Sequence, residues 1–203
     1  MPCLIDGVAV SILRPTGDAV RRGPVTPMKR ILTAQQVRRA IQRLCTAVID
    51  DLPTSGRLAV VGIRTRGETL ARRIVERLEA EKNRQVDFGI LDITFYRDDL
   101  SRRRNAPLVR ATEIDFDLDD TWVLLVDDVL QTGRSVRAAL DALHDFGRPK
   151  VVRLAVLIDR GGRELPISAD YVGRKVASPE HTRVQLKLKE NDGEEGVFII
   201  KNH

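Results

Sequence analysis

The residues best suited to chemistry lie in one run of the 203-residue chain, Val123-Leu-Leu-Val126-Asp127-Asp128-Val129-Leu130-Gln131-Thr132-Gly133-Arg134-Ser135. Four apolar residues read as a buried strand that ends in two adjacent carboxylates, and a short loop then leads to Thr-Gly-Arg-Ser, where a helical pattern begins. A helix start presents backbone N–H groups that have no partner inside the helix, together with the positive end of its dipole. With the hydroxyls of Thr132 and Ser135, the amides of residues 133–135 form a cradle for phosphate, and Gly133 lets the backbone approach the anion. Carboxylates do not bind phosphate, so Asp127 and Asp128 must serve something a sugar's length away, either hydroxyls or a Mg²⁺ ion. Phosphate and polyol together describe a phosphorylated sugar. The competing reading is an acidic strand end followed by an ordinary helix cap.

Gly62-Ile-Arg-Thr-Arg-Gly67 is the second candidate. Its glycines have the separation of an NTPase phosphate loop, but Glu68 stands where that loop requires Lys. At the end of a strand, Arg64, Thr65 and Arg66 supply donors for a second anion, although a plain turn with two solvated arginines would read the same way. Two anion cradles on one rim suit a substrate with phosphate at both ends. His144, His181 and His203 have no partners at metal-ligand spacing, and Cys3 and Cys45 are too far apart for a metal knuckle. Neither a Gly-x-Ser-x-Gly elbow nor a Gly-x-Gly-x-x-Gly fingerprint occurs.

A frame must bring these residues to one edge, and the hydrophobic pattern supplies it. Thr33 with Gln36 forms a capping box, after which Val37, Ile41, Leu44 and Val48 recur at helical spacing to about Asp50. The opposite face of this helix carries Arg38, Arg39 and Arg43. Leu58–Gly62 reads as a buried strand, followed by a helix with Leu70, Ile74 and Leu78 on one face, and Val86–Ile93 as the next strand. Trp122–Val126 is the third strand. A helix then turns Val136, Ala139, Leu140, Leu143 and Phe146 inward and stops at Gly147 and Pro149, before a fourth strand at Val151–Ile158.

Strands alternating with helices predict a parallel sheet covered on both faces, with ligands beyond the carboxyl ends of the strands. The loops at Ile63, Tyr96, Asp127 and Asp159 then share a rim. Short strands near Asp170–Val172, Val184–Leu188 and Val197–Ile200 read as a β-rich flap. Tyr96–Ala111 is polar, rich in arginine and too long for an ordinary connection. Residues 1–28, with four prolines, read as an extension in which Val8–Leu13 can pair as a short strand, and 29–203 as one domain.

Composition narrows the classes. Lys+Arg number 34 against 29 Asp+Glu, a net +5 that falls well short of a coat protein's charge, and 42% apolar residues give enough material for one sizeable core. No run approaches the ~18 apolar residues of a membrane span, which gives the expectation of a cytoplasmic protein with no membrane partner.

Taken together, the four apolar residues, Asp-Asp and Thr-Gly-Arg-Ser resemble the 5-phosphoribosyl-1-pyrophosphate (PRPP) binding motif of type I phosphoribosyltransferases. With Gly62-Ile-Arg-Thr-Arg-Gly67, Tyr96-Arg-Asp-Asp-Leu100 and Asp159-Arg-Gly-Gly-Arg-Glu-Leu-Pro166 in this order, the chain resembles the PyrR family from about Lys29 to its C-terminus. Members of that family are both pyrimidine-operon attenuation regulators and uracil phosphoribosyltransferases.

The resemblance implies an α/β type I phosphoribosyltransferase fold, with a parallel sheet flanked by helices and a small β-rich hood after Asp159. It implies transfer from PRPP to uracil, giving UMP and pyrophosphate with Mg²⁺, and UMP-dependent binding of the leader mRNA of pyrimidine genes by a homodimer or homotetramer. It assigns Gln131, Thr132, Gly133, Arg134 and Ser135 to the 5′-phosphate, and Arg64, Thr65 and Arg66 to the pyrophosphate. Asp127, Asp128 and Arg97 become catalytic, with Mg²⁺ carried by PRPP near the two aspartates. Ile158, Asp159 and Arg160 fall to the base, Arg38, Arg39 and Arg43 to RNA, and Tyr96–Ala111 to a flexible loop that closes over the substrate.

Two residues depart from the family pattern: Gly162 where His is common, and Ser135 where Thr is more usual. Ser135 keeps the hydroxyl, whereas Gly162 removes an imidazole from the rim. Transfer to a purine base, and a nucleotide-sensing RNA regulator with little catalysis, are the alternative functions.

Overall fold

The computed structural model describes residues 28–82, 85–98 and 111–201 of the chain. Val8–Leu13 and most of the segment 96–111 lie outside the described residues. The elements run β1 (Met28–Leu32), α1 (Ala34–Asp50), β2 (Leu58–Ile63), α2 (Arg66–Lys82), β3 (Asp87–Leu91), β4 (Trp122–Leu130), α3 (Arg134–Leu143), β5 (Val151–Asp159), β6 (Tyr171–Lys175), β7 (Thr182–Lys187), α4 (Lys189–Asp192) and β8 (Gly196–Lys201).

Five strands form the main sheet in the order β3-β2-β4-β5-β6, all parallel. Side chains alternate across it as period two requires. Leu58, Val60, Leu124, Val126 and Leu157 face a core shared with Val37, Leu44, Val48, Leu70, Ile74 and Leu78 of α1 and α2. Ala59, Val61, Val123, Leu125 and Val156 face a second core shared with Val136, Ala139 and Leu143 of α3. Every residue of β2 is buried, which explains its unbroken apolar run.

The capping box at the head of α1 forms as expected: Gln36 N–H donates to Thr33 Oγ1 at 3.3 Å, and Thr33 N–H donates to Gln36 Oε1 at 2.9 Å.

Four features differ from the sequence expectation. β4 continues four residues beyond Val126, because Val129 and Leu130 still pair with Ile158 and Asp159 of β5, so both aspartates lie within the strand. β6 belongs to the parallel sheet instead of the flap, pairing with β5 at Ala155 and Tyr171. The hood is the antiparallel sheet β1-β8-β7, which draws one strand from the start of the described chain. α3 ends at Leu143 and a 3-10 turn, His144–Phe146, follows it, leaving Leu140 and Phe146 half-buried.

Candidate active site

The carboxyl ends of β2 and β4, the first turn of α3 and the hood strand β7 surround a cleft of about 530 Å³. Arg64, Thr65, Arg66, Arg97, Asp127, Asp128 and residues 131–135 line it, and an adjoining hollow shares Arg64, Arg97 and both aspartates. The structure thus brings together both anion-cradle motifs, with Arg97 and Asp98 of the Tyr96-Arg-Asp-Asp-Leu100 motif.

Asp127 is buried with 7% exposure, and its Oδ1 accepts the N–H of Asp128 at 2.9 Å. Burial, and then the neighbouring Asp128 charge, hold the Asp127 carboxyl well above the usual carboxylate range, and Arg97 opposes them. Burial also raises Asp128, against the pull of the Arg66 guanidinium. Two acidic groups in so little water are costly to the fold, and such cost collects at working sites.

The cradle forms because α3 has no side-chain cap. Gly133 takes the N-cap position at φ +91, a left-handed conformation that favours glycine. Arg134 N–H leans on Thr132 Oγ1 at 3.3 Å. Behind the loop, Glu164 and Leu165 N–H donate to Thr132 O at 3.0 and 3.1 Å, while Arg163 Nη1 donates to Gln131 O at 2.9 Å. The Arg134 guanidinium is turned to Glu164 and Asp98, at 2.7 and 2.6 Å.

Opposite the cradle, the peptide bond between Arg64 and Thr65 is cis. Arg64 pairs with Glu113 and lies 3.6 Å from Glu68, and Arg66 pairs with Asp192 through two bonds. A close packing contact sets the position of this loop. A Cβ on Gly67 would stand 2.6 Å from Val126 O and 3.3 Å from Asp127 Cα, and one on Gly62 would stand 2.6 Å from Glu68 Cα. The two glycines let the head of α2 lie against the strand ends at the aspartates.

Ile158, Asp159 and Arg160 do not line the cleft. Ile158 is fully buried in the sheet core. Asp159 is taken up by Arg163 at 2.8 Å and by Gly161 N–H, and Arg160 reaches Thr182 O at 2.7 Å. The hood side of the cleft is instead lined by Arg183, Val184 and Gln185 of β7, which sequence reasoning missed because only the folded hood carries them there. Arg163 was missed too, although its place in Asp159-Arg-Gly-Gly-Arg163 was a signal.

Arg38, Arg39 and Arg43 are exposed on α1, as the helical pattern requires, and do not line the cleft. Arg38 is paired with Glu195 at 3.1 Å and Arg43 lies 3.4 Å from Gly173 O.

Among the described residues no group of three or more His, Cys, Asp or Glu could hold a metal ion. Asp127 and Asp128 offer adjacent carboxylate oxygens at the cleft, while Asp98 on the same wall is engaged by Arg134, and a pair of carboxylates suits an ion keeping water and phosphate ligands, as Mg²⁺ does. No helix among the described residues is long and apolar enough to cross a membrane.

The family described as phosphoribosyl transferase domain matches residues 27–190, and the chain has the type I phosphoribosyltransferase fold. The hypoxanthine phosphoribosyltransferase of Trypanosoma cruzi superimposes with TM-score 0.62 at 20% identity over 86% of this chain and 97% of that one. A hypoxanthine phosphoribosyltransferase of Staphylococcus aureus gives 0.61 at 17% identity over 86% of this chain and 92% of that one. At these identities the likeness is one of fold. Sequence relatives are nearer: "Bifunctional protein PyrR" of Roseiflexus sp. is 52% identical over 174 residues, 85% of this chain and 95% of the relative. That of Pelotomaculum thermopropionicum is 50% identical over 172 residues, again 85% and 95%. The chain belongs to the PyrR family.

Proposed function

We propose that the protein transfers the phosphoribosyl group of PRPP to uracil, giving UMP and pyrophosphate, and that its UMP-bound form attenuates transcription of pyrimidine genes by binding their leader mRNA. The observation that carries the enzymatic half is the start of α3, without a side-chain cap, beside the buried Asp127 and half-buried Asp128, across the cleft from the Arg64–Arg66 loop.

In this reading the amides and hydroxyls of residues 131–135 hold the 5′-phosphate, where the dipole of α3 favours the anion. Asp127 and Asp128 accept the ribose hydroxyls. As the bond from C1′ to the pyrophosphate oxygen lengthens, positive charge grows on the ribose, and a carboxylate already fixed beside it favours that charge without reorganising. The new bond forms between the uracil ring nitrogen and C1′, and the proton of that nitrogen leaves to solvent. Arg64, Thr65 and Arg66 receive the pyrophosphate, with Arg97 on the same wall. Mg²⁺ bound to PRPP would neutralise charge on the leaving group, and Asp127 and Asp128 are the residues that would hold it.

Catalysis is positioning and electrostatics, with no covalent nucleophile. Arg183, Val184 and Gln185 lie on the hood side of the cleft, where the base would sit. We place the protein in the cytoplasm, as a homodimer or homotetramer.

For the regulatory half, Arg39 and Arg43 on the exposed face of α1 supply charge for an RNA backbone, while Arg38 shares its charge with Glu195. Charge reversal at Arg39 and Arg43 is expected to weaken leader RNA binding about tenfold or more at near-physiological salt, because each lost phosphate contact also lowers the salt slope. Uracil transfer should be unchanged. A gel-shift titration with UMP beside a turnover assay checks both halves, and equal RNA affinity in the variant would remove α1 from the interface.

Pyrophosphate release measured with uracil, with hypoxanthine and with no base tests the enzymatic reading. Release with uracil alone is expected. Release with hypoxanthine alone would make the protein a purine enzyme, and no release with either base would leave only a nucleotide-sensing regulator.

A further inference from the structure

One partly buried ionic contact on the cleft reaches in from the far end of the chain. Asp192 closes α4 in the hood, and its carboxylate takes the Arg66 side chain by the fork: Nε to Oδ2 at 3.1 Å and Nη2 to Oδ1 at 2.6 Å. Both side chains are mostly withdrawn from water, at 24% and 14% exposure, so this is not a loose surface pair. The same carboxylate accepts Leu188 N–H at 2.9 Å, which fixes it against the turn that leaves β7. A planar guanidinium held along its Nε–Nη2 edge loses its rotational freedom and still has the two Nη1 protons for an anion.

We propose that Asp192 is a positioning residue for pyrophosphate: it pre-orients the Arg66 guanidinium in the cleft, and so makes the affinity for the leaving group depend on the hood. The inference rests on the phosphoribosyltransferase reading above. Arg66 lines the cleft with Asp127 and Asp128 and lies close enough to Asp128 to oppose the rise of its pKa, so its direction matters to both charges. The hydrogen bond that Arg66 donates to Asp192 is the leading cause of the raised Arg66 pKa. Burial pushes the Asp192 carboxyl up, but the bonds from Arg66 and from Leu188 N–H outweigh it and leave it below the usual range.

A purely structural role for Asp192 is already filled by its neighbours. Arg73 of α2 bonds Glu190 at 2.9 and 2.7 Å and Glu195 at 2.8 Å, and Thr69 Oγ1 bonds Asn191 at 2.8 Å. These contacts dock the segment onto α2 without Asp192. Arg66 is the first residue of α2, so Asp192 takes hold where that helix enters the cleft.

The test compares ligands with and without a pyrophosphate. Asp192→Asn keeps the shape and one acceptor but loses the charge and the fork. Dissociation constants for PRPP with Mg²⁺ and for UMP, measured by calorimetry on the full chain, are expected to separate. PRPP binding should weaken about tenfold, the usual loss for one charge-assisted bond, whereas UMP binding should stay within twofold. KM for PRPP should rise with little change in KM for uracil. Asp192→Glu, which restores the charge on a longer arm, should recover part of the loss, and it keeps the test open if the Asn variant unfolds.

Equal weakening for UMP and PRPP would mean a merely structural role and overturn the proposal. Unchanged PRPP binding in the Asn variant would overturn it as well, with the wild type still binding PRPP. A wild type that does not bind PRPP at all would overturn the phosphoribosyltransferase reading and this inference with it.

Discussion

Replacing Asp127 and Asp128 together by Asn should lower kcat for UMP formation on the order of 10²–10³-fold while leaving the protein more stable than the wild type. The loss follows from the place of the pair. Both carboxylates sit in the strand and in the cleft, Asp127 buried and Asp128 half-buried, where a fixed charge beside a developing cation is screened less than in water, and removing one such preorganised contact costs about 10²–10³ in rate. The gain follows from the same burial. Folding must desolvate two like charges, and only part of the cost returns through the Asp128 N–H bond and the pull of Arg66 and Arg97. Asn keeps the acceptor for that N–H and removes the charge. Taking a buried charge out of a working site commonly returns about 0.5–2 kcal/mol. For a chain of this size each kcal/mol is about 2–4 °C in Tm.

The pH dependence carries the sign. Both carboxyls are raised in the folded state, so their contribution to stability is fully present below the unfolded aspartate value of about 3.9 and is lost as pH rises from there through the folded values. The Asn variant lacks this loss. Its stability advantage should therefore be absent near pH 3–4 and grow as pH rises, an advantage read from denaturant unfolding at several pH values. Full activity in the double variant, or a stability difference that shrinks as pH rises, would contradict the account.

Gly67→Ala should lower kcat about 100-fold and destabilise the fold by about 1–3 kcal/mol, although alanine is the better helix former. Helix propensity favours the substitution by roughly 1 kcal/mol. Against it stands a Cβ 2.6 Å from Val126 O, and neither that backbone oxygen nor the head of α2 can give way as a flexible side chain would. The helix must move off the strand. The strand residue at the contact leads directly into Asp127, and a displacement of about 1 Å at a reacting centre is worth about 10² in rate. Steady-state kinetics and thermal unfolding of the same preparation separate the two effects. An alanine variant more stable than wild type and fully active would mean that the close approach does not hold the carboxylates in place.

The features that local chemistry encodes were legible in the sequence. The cradle at Thr132–Ser135, the capping box at Thr33 and the alternation of β2, α2 and β4 are each set within a few residues, and the structure carries all of them. The end of β4 was not legible. Two aspartates in a row look like the end of a strand unless one knows that Val129 and Leu130 pair with β5. For the same reason the β6 segment reads as part of the flap, since its register with β5 lies in the fold and not in its own composition. Asp159 looked like a rim residue, and folding gave it to Arg163. Arg66 and Asp192 are separated by 126 positions, and nothing in either neighbourhood announces the other. Sequence found most of the groups that line the cleft, and missed the pairs that hold them.

The most direct test of the central claim is a crystal structure of the protein with UMP. The account predicts the phosphate against the backbone N–H groups of residues 132–135 and the ribose hydroxyls on Asp127 and Asp128, with the Arg64–Arg66 loop making no contact with the nucleotide. A phosphate held by Arg64 and Arg66 instead, with the start of α3 left to water, would reverse the two ends of the site and contradict it.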